Sequence, residues 1–153
     1  MKASVLVMLS ILSLGIVSCT HNEVYCEYQS FRNSTWDKDS VARFDVAIAD
    51  TLSAYDVFVE VRNNNDYPFK NLWLFVDFTC PTGESRRDTM ECILANDQGK
   101  WYGGGFSLFE LSVPYEIGIQ YPRSGTYIYT IQQAMRSNLL EGVSDIGIKV
   151  VKR

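Results

Sequence analysis

The sequence is short of histidine and of closely spaced cysteines. Its only histidine, His21, lies near the N-terminus in a polar stretch without periodicity. The usual Ser-His-Asp and Cys-His hydrolases need a histidine held in a defined site, and common zinc sites need closely spaced histidine and cysteine ligands. Both classes are therefore excluded. No carboxylate pair among the 18 acidic residues is singled out by its neighbours, so we expect a non-catalytic protein without cofactor or metal.

Basic clusters and long apolar runs are missing as well. No segment concentrates the 14 Lys and Arg residues, and the net charge is −4. This excludes the phosphate-neutralising surface of a nucleic-acid-binding protein. The N-terminal run from Val5 to Val17, after Lys2, holds 13 mostly apolar residues. That length suits the core of a signal peptide and falls short of the roughly 20 residues that span a bilayer.

The motif Ile16-Val17-Ser18-Cys19 lies at the end of this run. An aliphatic residue three places before a cysteine, with a small residue directly before it, is typical of the cleavage and lipidation signal of bacterial lipoproteins. We therefore predict a signal peptide over residues 1–18, a lipidated tether over 19–24 and a single domain over 25–153. Several acyl chains on Cys19 would make membrane binding effectively permanent. The alternative is a secreted protein with a free thiol at this position.

Period-two alternation of apolar and polar residues dominates the rest of the chain and predicts β-strands. The alternation is clearest over 44–48, 55–62, 72–80 and 146–150, and further strand-like runs cover 24–31, 88–95, 106–111 and 125–131. Turns rich in Asn, Asp, Gly and Pro separate them, and these gaps are too short for crossover helices. The predicted fold class is therefore all-β: about eight strands in an antiparallel two-sheet β-sandwich, immunoglobulin-like or jelly-roll-like.

Two segments have further interpretations. Ile131, Met135 and Leu139 are spaced four apart, and Gly142 would end a helix, so a short helix is an alternative there. The word Gly103-Gly104-Gly105 is not followed by the Gly-Lys-Ser/Thr of a phosphate-binding loop. We expect a bulge or a close backbone approach at these glycines instead.

Three cysteines follow Cys19, namely Cys26, Cys80 and Cys92. An odd number leaves at least one thiol unpaired and permits three single bridges. Cys80 and Cys92 flank a predicted hairpin whose register does not set them directly opposite each other. A disulfide and buried thiols therefore stand as equal alternatives.

Aromatic residues make up 13% of the chain, and two roles compete for them. They can form an exposed platform for a sugar or a protein partner, or they can fill the core of the sandwich, which is the commoner fate. The segment 73–78 is apolar on both faces, as in a central strand or in one that a partner covers. The residues in question are Tyr67, Phe69, Trp73, Trp101, Tyr102 and Phe106.

Several short sequence motifs follow one another along the chain in a specific order and spacing. They are Ser34-Thr35-Trp36, Phe44-Asp45-Val46, Val61-Arg62-Asn63-Asn64, Tyr67-Pro68-Phe69-Lys70-Asn71-Leu72-Trp73, Gly99-Lys100-Trp101-Tyr102-Gly103, Gly125-Thr126-Tyr127, Gln133-Ala134-Met135-Arg136 and Asp145-Ile146-Gly147. Together they resemble the gliding motility lipoprotein GldH family over nearly the whole mature chain. The resemblance implies a non-catalytic envelope lipoprotein that is associated with gliding motility and, in these bacteria, with type IX secretion machinery.

With that resemblance we expect an outer-membrane anchor through the lipid on Cys19, a body facing the periplasm, and protein partners in the cell envelope. The predicted partner-binding residues are Arg62, Tyr67, Trp73, Trp101, Tyr102 and Arg136. Arg and aromatic side chains are common interface anchors. The alternatives are that the two arginines pair with carboxylates such as Asp145, and that the protein is a carbohydrate-binding surface module of the envelope.

Two smaller predictions concern other words. Gly125-Thr126-Tyr127 looks like the start of a tyrosine corner, in which the ring packs at a sandwich edge and its hydroxyl bonds to nearby backbone. Asp39-Ser40-Val41, Asp50-Thr51-Leu52 and Asp88-Thr89-Met90 resemble a short acceptor for O-glycosylation in envelope proteins of the same bacterial group. Ser40, Thr51 and Thr89 would then carry glycans, and ordinary loops are the alternative.

Overall fold

The computed structural model describes residues 22–153. The predicted signal peptide, Cys19 and His21 lie outside the described residues. Within them the chain forms eight long strands and three short ones: β1 Glu23–Ser30, β2 Thr35–Asp37, β3 Ala42–Ile48, β4 Tyr55–Asn64, β5 Asn71–Thr79, β6 Ser85–Ile93, β7 Gly104–Gly105, β8 Leu108–Ile119, β9 Gly125–Gln133, β10 Leu139–Glu141 and β11 Val143–Lys152. Residues 22–153 include a single 3-10 turn, Arg32–Ser34, and no helix long and apolar enough to cross a membrane.

The strands form two main sheets. One has the order β1-β11-β4-β8-β7, the other has the order β3-β9-β5-β6, and β10 and β2 make a small third sheet. All pairings are antiparallel. The predicted all-β antiparallel sandwich is confirmed, and the doubly apolar segment 73–78 belongs to β5, which is central in its sheet.

The core lies between the two main sheets, where the alternating residues of facing strands meet. Its aliphatic members are fully buried in triplets such as Leu72, Leu74 and Val76 of β5 and Ile146, Ile148 and Val150 of β11. Each such side chain contributes about 1.5 to 3 kcal/mol relative to an exposed one. Trp36, Tyr121, Tyr127 and Tyr129 are among the largest fully buried side chains. Much of the aromatic content is therefore core.

The predicted tyrosine corner is present. Tyr127 is fully buried, and its hydroxyl donates to the Arg123 carbonyl oxygen at 2.8 Å. The ring lies 4.5 Å from that of Tyr121, whose hydroxyl shares a 2.8 Å hydrogen bond with that of Tyr129. The corner thus ties the connection between β8 and β9 to the core.

The alternative of a short helix over 131–139 is wrong. Strand β9 continues to Gln133, which pairs with Leu74 of β5, and Leu139 already belongs to β10. Gly142 does end an element, but that element is a strand. Its φ is +84°, and a Cβ there would lie 2.2 Å from the backbone nitrogen of Tyr67, so only glycine fits.

The close backbone approach predicted for the glycine triplet is confirmed. A Cβ on Gly103 would lie 2.9 Å from the Glu110 carbonyl oxygen, and one on Gly105 would lie 1.9 Å from that of Leu108. Gly104 and Gly105 form β7, which pairs with the start of β8. The glycines let this short strand close tightly on its neighbour.

The three described cysteines, Cys26, Cys80 and Cys92, are free thiols. In the hairpin of β5 and β6 Cys92 faces Leu72, while Thr79 faces Ser85 next to the turn. Cys80 and Cys92 therefore do not lie opposite each other, as predicted. Burial raises the pKa of the Cys92 thiol to about 12, which keeps it protonated and unreactive.

The sandwich has two distinct ends. At the N-terminal end, defined by Asn22 and the connections 49–54 and 120–124, the first residues of β1 and β4 pair with the last residues of β11. At the opposite end lie the connections 65–70, 94–103 and 134–138. We call this the aromatic end, because it carries the rings described below.

Candidate partner-binding surface

The three connections of the aromatic end differ in how they are held. The first two are fastened to each other: the backbone amides of Leu94 and Ala95 donate to the Lys70 carbonyl at 2.7 and 3.1 Å. Lys70 also forms a 2.7 Å ion pair with Asp97. The Asn96 side chain accepts from two amides of its own turn. These bonds hold the two connections in one arrangement without help from regular strand pairing.

A chain of aromatic rings runs beneath these connections. Tyr67 packs against Phe69 and Trp101 at centroid distances of 5.8 and 6.3 Å, and Trp101 packs against Phe109 at 5.9 Å. Tyr67 is 3% exposed, and its hydroxyl donates to the Asn71 carbonyl at 2.7 Å. Trp101 is half-buried, and its indole nitrogen donates to Asn65 at 3.0 Å. Tyr67 and Trp101 therefore support the surface from below.

Beside the rings lies a groove of about 330 Å³. The alternation of β5 turns Leu72 and Leu74 inward, so Trp73 points outward and is 39% exposed. Phe69 is 40% exposed, and Arg136 is exposed as well. The lining residues are Phe69, Asn71, Trp73, Ala134, Met135, Arg136 and Ser137.

Gln133 shapes this groove, although it is not one of the predicted partner-binding residues. Its side chain is fully buried. The side-chain nitrogen donates to the Ser137 carbonyl at 2.8 Å, and the side-chain oxygen accepts from the Met135 amide at 2.9 Å. The Trp73 carbonyl accepts from the Ala134 amide at 2.8 Å. The segment 134–137 is thereby fixed as one wall, with the Met135 thioether against the backbone of Trp73.

Exposed apolar side chains concentrate at this end of the molecule. Among residues 22–153, eleven large apolar side chains are exposed, and eight of them lie at or next to the aromatic end. Clustering of this kind marks interaction surfaces, whereas single exposed apolar residues are ordinary. The eight are Val41, Phe69, Trp73, Ile93, Tyr102, Phe106, Leu108 and Leu139.

The structure brings together only part of the predicted set. Trp73 and Arg136 line the groove, and Tyr102, 58% exposed, follows the half-buried Trp101 in the neighbouring connection. Tyr67 is buried, so it does not offer its ring to a partner. Phe69 and Met135 join the surface although the predicted set did not include them. Phe69 is one of the six aromatic residues for which the sequence leaves an exposed platform open, and it lies in the same motif as Tyr67 and Trp73.

Arg62 lies elsewhere, on the outer face of the five-stranded sheet. Its guanidinium stacks 3.7 Å from the centre of the Tyr28 ring and pairs with Glu110 at 2.5 Å. The alternative that Arg62 pairs with a carboxylate is therefore observed, but the carboxylate is Glu110, and Asp145 accepts a hydrogen bond from Ser30. Arg62 is thus separated from the groove and engaged within its own sheet.

The same outer face holds a buried carboxylate, although strand alternation turns its side chain away from the core between the sheets. Glu60 is fully buried. Lys149 pairs with one of its oxygens at 2.6 Å, and Ser112 donates to the other at 2.8 Å. The Tyr28 ring helps to cover the Glu60 carboxylate. It can lie there because the neighbouring Gly147 has no side chain that would push the ring away. The carboxylate is compensated by these partners, as a buried charge must be.

Metal binding and glycosylation are two other kinds of candidate site. Among residues 22–153 no group of His, Cys, Asp and Glu has the arrangement of a metal site. Of the glycosylation candidates, Thr89 is exposed on β6, whereas Ser40 and Thr51 are half-buried in connections.

Comparison with known proteins gives two kinds of match. A sequence model of the GldH lipoprotein family matches residues 23–150. A relative from Christiangramia forsetii, named gliding motility lipoprotein GldH homolog, is 37% identical over 143 residues, covering 88% of this chain and 87% of the relative. A relative from Flavobacterium johnsoniae, named gliding motility lipoprotein GldH, is 35% identical over 154 residues, covering 95% of each chain.

Proposed function

The chain belongs to the GldH lipoprotein family, and from this premise we propose that it is a non-catalytic envelope component that binds a protein partner through its aromatic end. The lipid on Cys19 anchors it in the outer membrane, and the body faces the periplasm. The partner is a component of the gliding motility and type IX secretion machinery. The names of the two relatives support the link to motility.

The observation that carries the proposal is the groove of Phe69, Trp73, Met135 and Arg136 amid the exposed apolar side chains of the aromatic end. Aromatic rings, a thioether and a guanidinium are binding groups rather than nucleophiles or acid-base pairs, which supports a non-catalytic role. Aromatic side chains that a partner buries often contribute about 2 kcal/mol or more each to a protein interface.

The chemistry of the groove also favours a protein over a carbohydrate. Sugars stack on flat, open rings that are flanked by hydrogen-bonding acceptors. Here Phe69 and Trp73 line a concave wall together with the flexible Met135, which adapts to apolar side chains of a partner. Arg136 at the same wall can pair with a carboxylate or a carbonyl oxygen of a protein.

Photo-cross-linking in cells of the source bacterium tests this proposal. A photoreactive amino acid replaces Trp73 in one variant and Thr126, an exposed residue at the other end of β9, in a matched control. We expect the Trp73 position to cross-link to a secretion or motility protein and the Thr126 position not to do so. Recovery of glycans alone from the Trp73 position would favour the carbohydrate-binding alternative.

The same cells test the anchor with a Cys19→Ser variant. We expect this variant to be missing from the outer-membrane fraction and to lose the cross-link at position 73, because acylation needs the cysteine sulfur. A Cys19→Ser protein that is still recovered in the outer-membrane fraction would contradict anchoring through this residue.

A further inference from the structure

The described chain begins very close to the residue that carries the proposed lipid. Asn22 accepts a hydrogen bond from the Lys152 amide at 2.7 Å, so its backbone is fixed at the N-terminal end. Cys19 is three residues earlier, and three extended residues reach only about 10 Å. An acylated Cys19 would therefore hold the N-terminal end of the sandwich directly against the lipid surface.

At the N-terminal end, the side chain of one leucine is almost fully exposed. Leu52, in the connection between β3 and β4, is 88% exposed. An exposed leucine in a loop usually has freedom to fold back onto apolar surface. Here the loop is held by its own polar groups, so the side chain keeps pointing outward.

The bonds that hold the loop centre on Asp50. One oxygen of its carboxylate accepts from the Leu52 amide at 2.9 Å and from the Ser53 amide at 3.2 Å. The other accepts from the Ser53 hydroxyl at 2.7 Å and pairs with Lys152 at 2.7 Å. The Asp50 carbonyl accepts from the Tyr55 hydroxyl at 2.7 Å.

Both backbone polar groups of Leu52 are satisfied within the protein. Its amide donates to Asp50, and its carbonyl accepts from the Gln120 side chain at 3.0 Å. A backbone that enters a lipid environment with unpaired polar groups meets a large desolvation penalty. Leu52 can enter a lipid environment without this desolvation penalty, since its amide and carbonyl keep their hydrogen bonds to Asp50 and Gln120.

The surroundings of Leu52 suit a lipid surface as well. Ile117 and Val24, 50% and 47% exposed, belong to the same end of the five-stranded sheet. Two of the carboxylates there, Asp50 and Asp56, are paired with Lys152 and Arg153 at 2.7 and 2.8 Å, whereas Glu23 and Glu84 are exposed to solvent. These pairs reduce the repulsion that a carboxylate would meet from anionic headgroups.

We propose that the Leu52 loop is a lipid-contacting surface and that the protein stands end-on upon the membrane. This inference rests on the proposed acylation of Cys19. Strand β11 runs the length of the sandwich with 10 residues, roughly 30 Å at about 3.3 Å per residue. The groove at the aromatic end is consequently held away from the lipid surface by about the length of the body, where a partner can reach it.

Fluorescence quenching by lipid tests the orientation directly, because all three natural tryptophans, Trp36, Trp73 and Trp101, lie towards the aromatic end. The mature protein, purified from membranes of the source bacterium, is reconstituted into phosphatidylethanolamine and phosphatidylglycerol vesicles whose acyl chains are brominated near the headgroup. We expect no loss of wild-type emission. In a Leu52→Trp variant we expect loss of the emission that the new tryptophan adds.

A Leu139→Trp variant is the matched control, since Leu139 is also an exposed leucine, 60% exposed, but lies at the aromatic end. Its added emission should persist in brominated vesicles. The proposal is overturned if the Leu52→Trp protein floats with the vesicles but keeps its emission, or if the wild type or the Leu139→Trp variant is quenched instead. Failure of the wild type to float would overturn the acylation of Cys19 itself and the orientation with it, so the two failures are distinguishable.

Discussion

The Tyr127 hydroxyl makes two hydrogen bonds at a buried corner: it donates to the Arg123 carbonyl at 2.8 Å and accepts from the Arg123 amide at 3.4 Å. A Tyr127→Phe substitution keeps the ring in the core and removes only these two bonds. We expect it to lower the free energy of unfolding by about 1 kcal/mol, measured by urea denaturation. A Tyr102→Phe substitution, at an exposed ring, should change it little. Equal effects of the two substitutions would show that the corner bonds contribute nothing of their own.

Residue by residue, the sequence allowed some predictions and not others. Tyr127 could be placed because a Gly-Thr-Tyr word at a sandwich corner has a local geometry of its own. Glu60 could not, because its burial depends on Tyr28, Ser112 and Lys149, which come from three other strands. Tyr67 and Trp73 belong to one word, yet one is buried and the other exposed. The difference arises where the irregular connection before β5 ends and strand alternation begins.

At the level of elements, the segment 134–137 is a wall of the groove because Gln133 fastens it. In a Gln133→Met variant the volume of the side chain is nearly kept, but the Met135 amide and the Ser137 carbonyl lose their partners. We expect a loss of about 1 to 2 kcal/mol in the free energy of unfolding and faster hydrogen exchange at the Met135 amide. The cross-link from position 73 should weaken in the same variant.

Gln132→Met is the control for this change. The Gln132 side chain donates one hydrogen bond, to the Lys38 carbonyl at 2.8 Å, at an exposed site. Water can replace that partner, so the expected loss is below about 0.5 kcal/mol. Slower exchange at the Met135 amide in the Gln133→Met variant, or an equal effect of both variants, would contradict the role of Gln133 as a fastening residue.

Element type was predictable wherever a strand buries one face, because period-two alternation follows directly from the geometry of the sheet. The spacing of apolar residues was misleading over 131–139, where it suggested a short helix. There, apolar residues four apart belong to the end of β9, to a bend and to β10, and their spacing has no helical cause. The bend is set by the local hydrogen bonds that Gln133 makes with Met135 and Ser137. Two tertiary contacts also set it, namely the backbone bond from Ala134 to Trp73 and the pairing of β10 with β2. Short strands such as β2 and β7 carry too few residues to show any period.

At the scale of the whole molecule, the two ends of the sandwich differ in kind. The N-terminal end has paired carboxylates and one displayed leucine, while the aromatic end collects most of the exposed apolar side chains. The order of strands in each sheet could not be read from the sequence, so neither could the separation of the two ends. It follows from the register of long antiparallel strands, which carries Asn22 and the groove to opposite extremes of the same body.

Buried phenols make the stability of the whole sandwich depend on pH under alkaline conditions. Burial raises the pKa values of seven tyrosines above their ordinary value near 10, and that of Tyr121 reaches about 12. The others are Tyr25, Tyr28, Tyr55, Tyr67, Tyr115 and Tyr129. Above pH 10 the unfolded chain releases these protons while the folded protein retains them. The stability is therefore fully present below about pH 10 and is lost as the pH rises towards and beyond the pKa values of the folded state.

We accordingly expect the midpoint of urea unfolding to fall steeply above about pH 10, together with a cooperative rise in tyrosinate absorbance as the sheets separate. A Tyr121→Phe, Tyr129→Phe double variant tests the cause, because it removes both hydroxyls of the buried 2.8 Å pair and leaves neither one unpartnered. Its midpoint should fall less steeply over the same range, since two of the shifted phenols are gone. An unchanged slope in the double variant would mean that these two buried phenols do not control the alkaline transition.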